Sequence, residues 1–171
     1  MGGAAIIILT VEKPQIHATM ALTEGGILNK NDHDLQVKVH SAMYFLIKDK
    51  GVASPAEVLI SIGALSKEDY ERWRNGKVDY LERVCKTNLR KLSFINHEIR
   101  VYARKHDLKP SWTAYNKWGK GNKTRLRFSK SGDDNIEKLY ATHYISQTKV
   151  EEAKARREAD KEKAESGDSD E

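Results

Sequence analysis

At 171 residues, with 30 Lys and Arg against 25 Asp and Glu and a single cysteine, the chain has one domain's length plus tails, a net charge of +5 and no means of forming an internal disulfide. One thiol also excludes metal sites built from several thiolates, and the only strongly apolar run near the start, AAIIILTV at residues 4–11, lacks a basic leader and is far shorter than the roughly 20 residues of a membrane span. These counts lead us to expect an intracellular, cytoplasmic protein with no membrane partner.

The charge is uneven: residues 1–32 carry net −1, residues 33–146 net +9 and residues 147–171 net −3. Such asymmetry points to a polyanionic partner and says nothing of the fold. Residues 1–32 mix Ile6, Ile7 and Ile8 with Pro14, Gly25 and Gly26 and keep no period, which reads as a flexible arm or a single strand.

From Asp32 or Asp34, apolar residues recur at three and four (Leu35, Val39, Ala42, Met43, Leu46, Ile47), predicting a helix that ends at Gly51. SPAE at residues 54–57 has Ser54 to cap, Pro55 at the first helical position and Glu57 at the third, so a second helix runs to about Ile62. Gly63 breaks it, and Ser66 restarts a helix in SKEDYERWRNG that Asn75 and Gly76 stop. Helix, glycine turn, helix is the order of a helix-turn-helix, although the surface of the second member mixes Lys67, Arg72 and Arg74 with Glu68, Asp69 and Glu71. A plain helical hairpin packed on the core fits the same residues.

Residues 79–106 read as the longest helix. At 100° per residue, Leu81, Val84, Cys85, Leu89, Leu92, Ile95, Ile99, Tyr102 and Ala103 fall on one side, while Arg83, Lys86, Arg90, His97, Arg100 and Arg104 fall on the other. A nearly all-cationic stripe is more than solubility requires, since soluble surfaces intersperse both signs; a solvated face flanked by Glu82 and Glu98 is the competing reading.

Pro110 ends that helix and opens KPSWTAYNKWGKGNKTRLRFSKSG at residues 109–132, which holds seven cations, four aromatics and no acid. Thr124, Leu126 and Phe128 alternate with Arg125, Arg127 and Ser129, and GKGN supplies turn chemistry, so residues 112–130 read as a β-hairpin. With Trp118, Leu126 and Phe128 facing the helices, Arg125 and Arg127 face water beside Tyr115 or Lys117, with Lys120 and Lys123 at the tip. SGDDNIEKLYATHYI then reads as a closing helix, and residues 147–171 as a charged, disordered tail, with the alternative that its stretch EEAKARREADKEKAE is helical when bound or as an extension of the last helix.

The expected fold is therefore mainly α with a β-hairpin (α+β): a helical domain over residues 33–146 whose order of helices and basic hairpin resembles a winged helix, an analogy of fold that carries no function alone. Cations hold phosphates whatever the sequence, and aromatics beside them stack bases. The chemistry points to nucleic-acid binding, DNA ahead of RNA, by Tyr115, Lys117, Lys120, Lys123, Arg125, Arg127 and Lys130 of the hairpin with Arg83, Lys86, Arg90, Arg100 and Arg104 of the long helix. Edge-strand protection by lysines competes. So does an adaptor or inhibitor that anchors on another protein through the aromatic hairpin. No HExxH, phosphate loop or nucleophile elbow occurs. A metal-dependent nuclease would have to assemble His143, Asp133 and Asp134. No cofactor is implied, and nothing here fixes the oligomeric state.

Overall fold

The computed structural model describes residues 30–121 and 123–166, so the arm lies, except for its last residues, outside the described residues. Helix α1 (Lys30–Lys50) begins slightly before the expected Asp32 and stops before Gly51. Its inward face carries Val39, Ala42 and Met43 into the core, with Leu35, Leu46 and Ile47 at the margin. The short strand β1 (Val52–Ala53) follows, then α2 (Pro55–Ser61) and α3 (Lys67–Arg74).

The local signals around α2 and α3 act as their chemistry requires. Ser54 Oγ accepts from Glu57 N while the Glu57 carboxylate accepts from Ser54 N, so two orphan donors at the start of α2 are satisfied reciprocally. Ser66 caps α3 by accepting from Asp69 N at 3.1 Å. Gly76, just past α3, has φ +69° and lies under the Lys117 stem; an added Cβ would sit 2.9 Å from a Lys117 side-chain carbon, so glycine suits both backbone and space.

The long helix is a point of correction. Residues 81–84 form a 3₁₀ turn, and only Leu89–Lys105 are α4. Leu81 N and Glu82 N donate to the Arg127 and Phe128 carbonyls, so pairing with a distant segment replaces the intrahelical bonds at that end. Asn88 Oδ1 accepts from Lys91 N and caps α4 in the middle of the stretch read as continuous. An apolar period cannot tell which neighbour each apolar residue meets, and here Leu81 and Leu92 belong to different elements.

Helices α1 and α4 run the same way. Asp32 binds Arg90, Gln36 Nε2 donates to buried Glu98, His40 Nε2 lies 2.9 Å from that same carboxylate, and the His40 ring is 5.4 Å from Tyr102. Strand β2 (Lys109–Trp112) follows α4, and α5 (Asp134–Ala141) passes directly into β3 (Thr142–Ile145). The three strands form an antiparallel sheet in the order β1-β3-β2, with Ala53 and Pro110 both opposite Tyr144. Pro110 is tolerated because β2 is an edge strand.

The closing helix therefore ends earlier than expected, at Ala141, since the β-branched and aromatic residues of THYI pair better than they coil. The expected hairpin is a short ribbon: Leu126 N donates to Tyr115 O and Lys117 N to Thr124 O around one bridge, Asn116 with Arg125. It packs on α3 through Trp73, which is fully buried between Phe128 at 5.0 Å and Tyr115 at 5.7 Å and donates from Nε1 to the Arg127 carbonyl at 2.8 Å.

The stretch after Ser146, for which the sequence allows both a disordered tail and a helical extension, forms α6 (Gln147–Ser166) as far as it is described. Its Ala, Glu, Lys and Arg are strong helix formers and need no apolar face to begin a helix; Lys149 and Glu152 add a pair one turn apart. Gly51 makes room for its first turn, since a Cβ there, at φ +73°, would lie 2.9 Å from Lys149 Cβ. Among the described residues no helix is long and apolar enough to cross a membrane.

Candidate nucleic-acid interface

The ribbon places its residues by alternation. Leu126 and Phe128 turn inward and are buried, as expected, while Arg125 points outward with its guanidinium 5.5 Å from the centroid of the Trp112 ring. Trp112 is 52% exposed although it belongs to a paired strand. It shares a sheet face with Thr142, Pro110 and Tyr144, because cross-strand partners and every second residue lie on one side. Tyr144 lies where that face meets α4: burial raises its phenol pKa, and the charges of Arg100 and Arg104 partly offset the rise. Tyr144 and its partner Ala53 are buried on this face, so it is open to solvent at its Trp112 end, where Arg125 stands, while Arg100 and Arg104 are exposed on α4 near Tyr144. Lys117, Lys120 and Lys123 are exposed on the ribbon beyond Arg125.

Two carboxylates beside the ribbon are taken up by hydrogen bonds. Glu137 is buried and accepts from Phe128 N at 2.9 Å, Ser129 N at 2.8 Å and Ser129 Oγ at 2.6 Å. Glu82 accepts from Lys130 N and from the Tyr140 hydroxyl. Glu137 is thus occupied by donors of the ribbon, and Glu82 by one donor of the ribbon and one of α5.

The other predicted residues are distributed differently. Tyr115 is corrected: it is 5% exposed, its hydroxyl shares a 2.7 Å hydrogen bond with His143 Nε2, and burial pushes its pKa up to about 12, so it is a core residue. Arg127 folds back, donating to the carbonyls of Ser129 and Lys130. Lys130 is exposed at the far end of the ribbon, beside the groove between α4 and α5 that Arg100 also lines. Arg83 pairs with Asp79, and Lys86 is exposed where its backbone N–H meets the Ala64 carbonyl. Arg90 makes a two-point pair with Asp32. At 1.5 Å per residue Arg90 lies about 21 Å from Arg104 along the axis of α4. The cationic stripe is thereby divided, and its C-terminal half is the part that meets the sheet.

Sequence reasoning missed Arg74, whose guanidinium is clamped 4.9 Å from the Tyr115 ring centroid and 4.8 Å from that of Trp118. No pattern in α3 separates it from Arg72, which pairs with Asp69. Trp118 was expected to face the helices; it is 45% exposed and edge-on to Tyr70.

The residues named for a nuclease are not brought together. Asp133 Oδ1 accepts from Asn135 N and Ile136 N and so caps α5, whereas His143 lies beyond the other end of that helix, about 12 Å away by its rise. Burial lowers the pKa of His143, against a smaller upward pull from Glu57. Among the described residues no group of three or more His, Cys, Asp or Glu could hold a metal ion. Cys85 is half-buried and burial pushes its thiol up to about 12, far from thiolate chemistry.

No protein-family model matches the chain, and no curated protein or solved structure is significantly similar to it.

Proposed function

We propose that the protein binds nucleic acid through the basic ribbon, the exposed Trp112 at the edge of its sheet and the C-terminal half of α4, with duplex DNA favoured over RNA. The observation that carries this reading is the exposed Trp112 backed by Arg125 beside a lysine-bearing ribbon, with exposed Arg100 and Arg104 on α4. Positive side chains attract phosphates irrespective of sequence, and an exposed indole backed by a guanidinium offers a ring for a base or a groove edge. Phosphate and shape contacts outweigh base reading.

The preference for DNA rests on a winged-helix reading. Supporting it are the order α1, β1, α2, α3 ahead of β2 and β3, the central place of β3, and a long β2–β3 connection that carries the ribbon. The ribbon takes the place of the wing and is tied to α3 through Trp73. In this reading α4 is an addition between α3 and β2. The exposed residues of α3, Lys67, Glu68, Glu71 and Arg72, mix both signs, so α3 contributes less than the wing and α4.

The test is fluorescence anisotropy with labelled duplex DNA, duplex RNA and single strands between about 50 and 200 mM salt. The expected result is affinity falling steeply with salt, by a slope of about 0.9 per phosphate neutralised on duplex DNA, and duplex DNA bound most tightly. No binding at the low-salt end would overturn the proposal. Binding of duplex RNA more tightly than DNA would overturn the winged-helix part alone.

A further inference from the structure

The outer side of α1 carries more apolar surface than a solvated helix needs. Phe45 is 63% exposed, and Val37 and Tyr44 about half. Scattered exposed apolar residues are ordinary, whereas several on one helix beside a groove mark a contact surface. A groove of about 750 Å³ lies between α1 and the end of α2, lined by Lys38, Ser41, Ala42, Phe45, Asp49 and Ile62 among others. Among the described residues neither Lys38 nor Asp49 takes part in an ion pair, in contrast to Lys50, which is held by Glu57.

The order of these residues along α1 is self-complementary. When two copies of α1 pack antiparallel about a two-fold axis between residues 43 and 44, Lys38 of one copy faces Asp49 of the other, and the reverse pair forms at the opposite end. Phe45 then lies opposite Ala42 and enters the hole formed by Lys38, Ser41, Ala42 and Phe45 of the second copy, where the two small residues give it depth. Opposite charges equally far from an axis and a large residue one turn from small ones make this face self-complementary, as a two-fold interface needs.

We propose that the protein self-associates into a two-fold dimer through α1, with Phe45 as the central knob and Lys38–Asp49 as the pair that sets the register. The test is sedimentation equilibrium of the full chain without nucleic acid, from low micromolar to about 100 µM, so its outcome is independent of the nucleic-acid reading. The wild type is expected to show a concentration-dependent dimer and Phe45→Glu a monomer with an unchanged circular dichroism spectrum. Lys38→Glu and Asp49→Lys alone each place like charges together twice per dimer and are expected to weaken it about tenfold. An equimolar mixture of these two variants restores both pairs in the heterodimer and is expected to recover wild-type association. A wild type that stays monomeric throughout, or a mixture no tighter than the two variants apart, overturns the proposal, and the second criterion holds even where Phe45→Glu fails to fold.

Discussion

Asp32, buried at the start of α1, accepts two hydrogen bonds from the Arg90 guanidinium at 2.9 and 3.1 Å. The pair joins the starts of two helices that run the same way, so the charge of Arg90 serves the fold. Arg104, one stripe and 14 positions later, stands beside the sheet face. The two arginines should therefore separate: Arg90→Gln is expected to lower the melting temperature by a few degrees and leave nucleic-acid affinity unchanged. Arg104→Gln should weaken affinity and flatten its salt dependence with the melt unmoved. Thermal melts and anisotropy on both variants check it, and equal effects on both readouts would count against the division.

Trp112 is exposed, covered on one side by Arg125, and not in the aromatic cluster around Trp73. Trp112→Ala is expected to weaken single-strand binding by about 1–3 kcal/mol, the range for loss of a stacked base. Stability in urea should change by less than about 0.5 kcal/mol, as for a surface substitution. A large loss of stability would identify the indole as structural.

Glu137 is the carboxylate on which the end of the ribbon is folded, with three donors from Phe128 and Ser129. Glu137→Ala leaves buried donors without an acceptor at roughly 1–3 kcal/mol each. The expected loss is about 3 kcal/mol or more in urea unfolding, with Glu137→Gln losing less because one oxygen remains. A change within about 0.5 kcal/mol would mean that water replaces the carboxylate.

The pH dependence has two windows. Burial holds the pKa of folded His143 below its ordinary 6.5, so the unfolded chain takes up a proton first as pH falls. Stability should then decline from about pH 6.5 down to the folded value, and His143→Gln should flatten that decline. Glu57 titrates below its ordinary 4.5: burial alone would raise it, but the hydrogen bonds from Lys50 and Ser54 and the Lys50 charge outweigh that effect. Its contribution is therefore present above about pH 4.5 and lost as pH falls through the lower folded value. Urea midpoints measured from pH 8 to about 2 test both windows, and an unchanged wild-type slope in His143→Gln would reject the first.

What the sequence determined by itself is what neighbours within a few residues decide. Ser54 with Pro55 and Glu57 starts α2, Ser66 starts α3, Gly51, Gly63 and Gly76 end or turn the chain, and Leu126 and Phe128 alternate inward on the ribbon. Caps, turns and periods act over one or two turns of backbone, so residue type and spacing suffice to read them. Tertiary structure decided the rest, because each remaining choice turned on a partner far along the chain. Ribbon carbonyls at residues 127 and 128 interrupt the expected long helix, β1 and β2 draw residues 142–145 out of a helix, Asp32 takes Arg90, and His143 takes the hydroxyl of Tyr115. A cation paired 58 positions away and a cation open to solvent are the same letter in a sequence; only the packing of α1 on α4, and of the ribbon on α3, makes Arg90 structural and leaves Arg104 and Arg125 facing out.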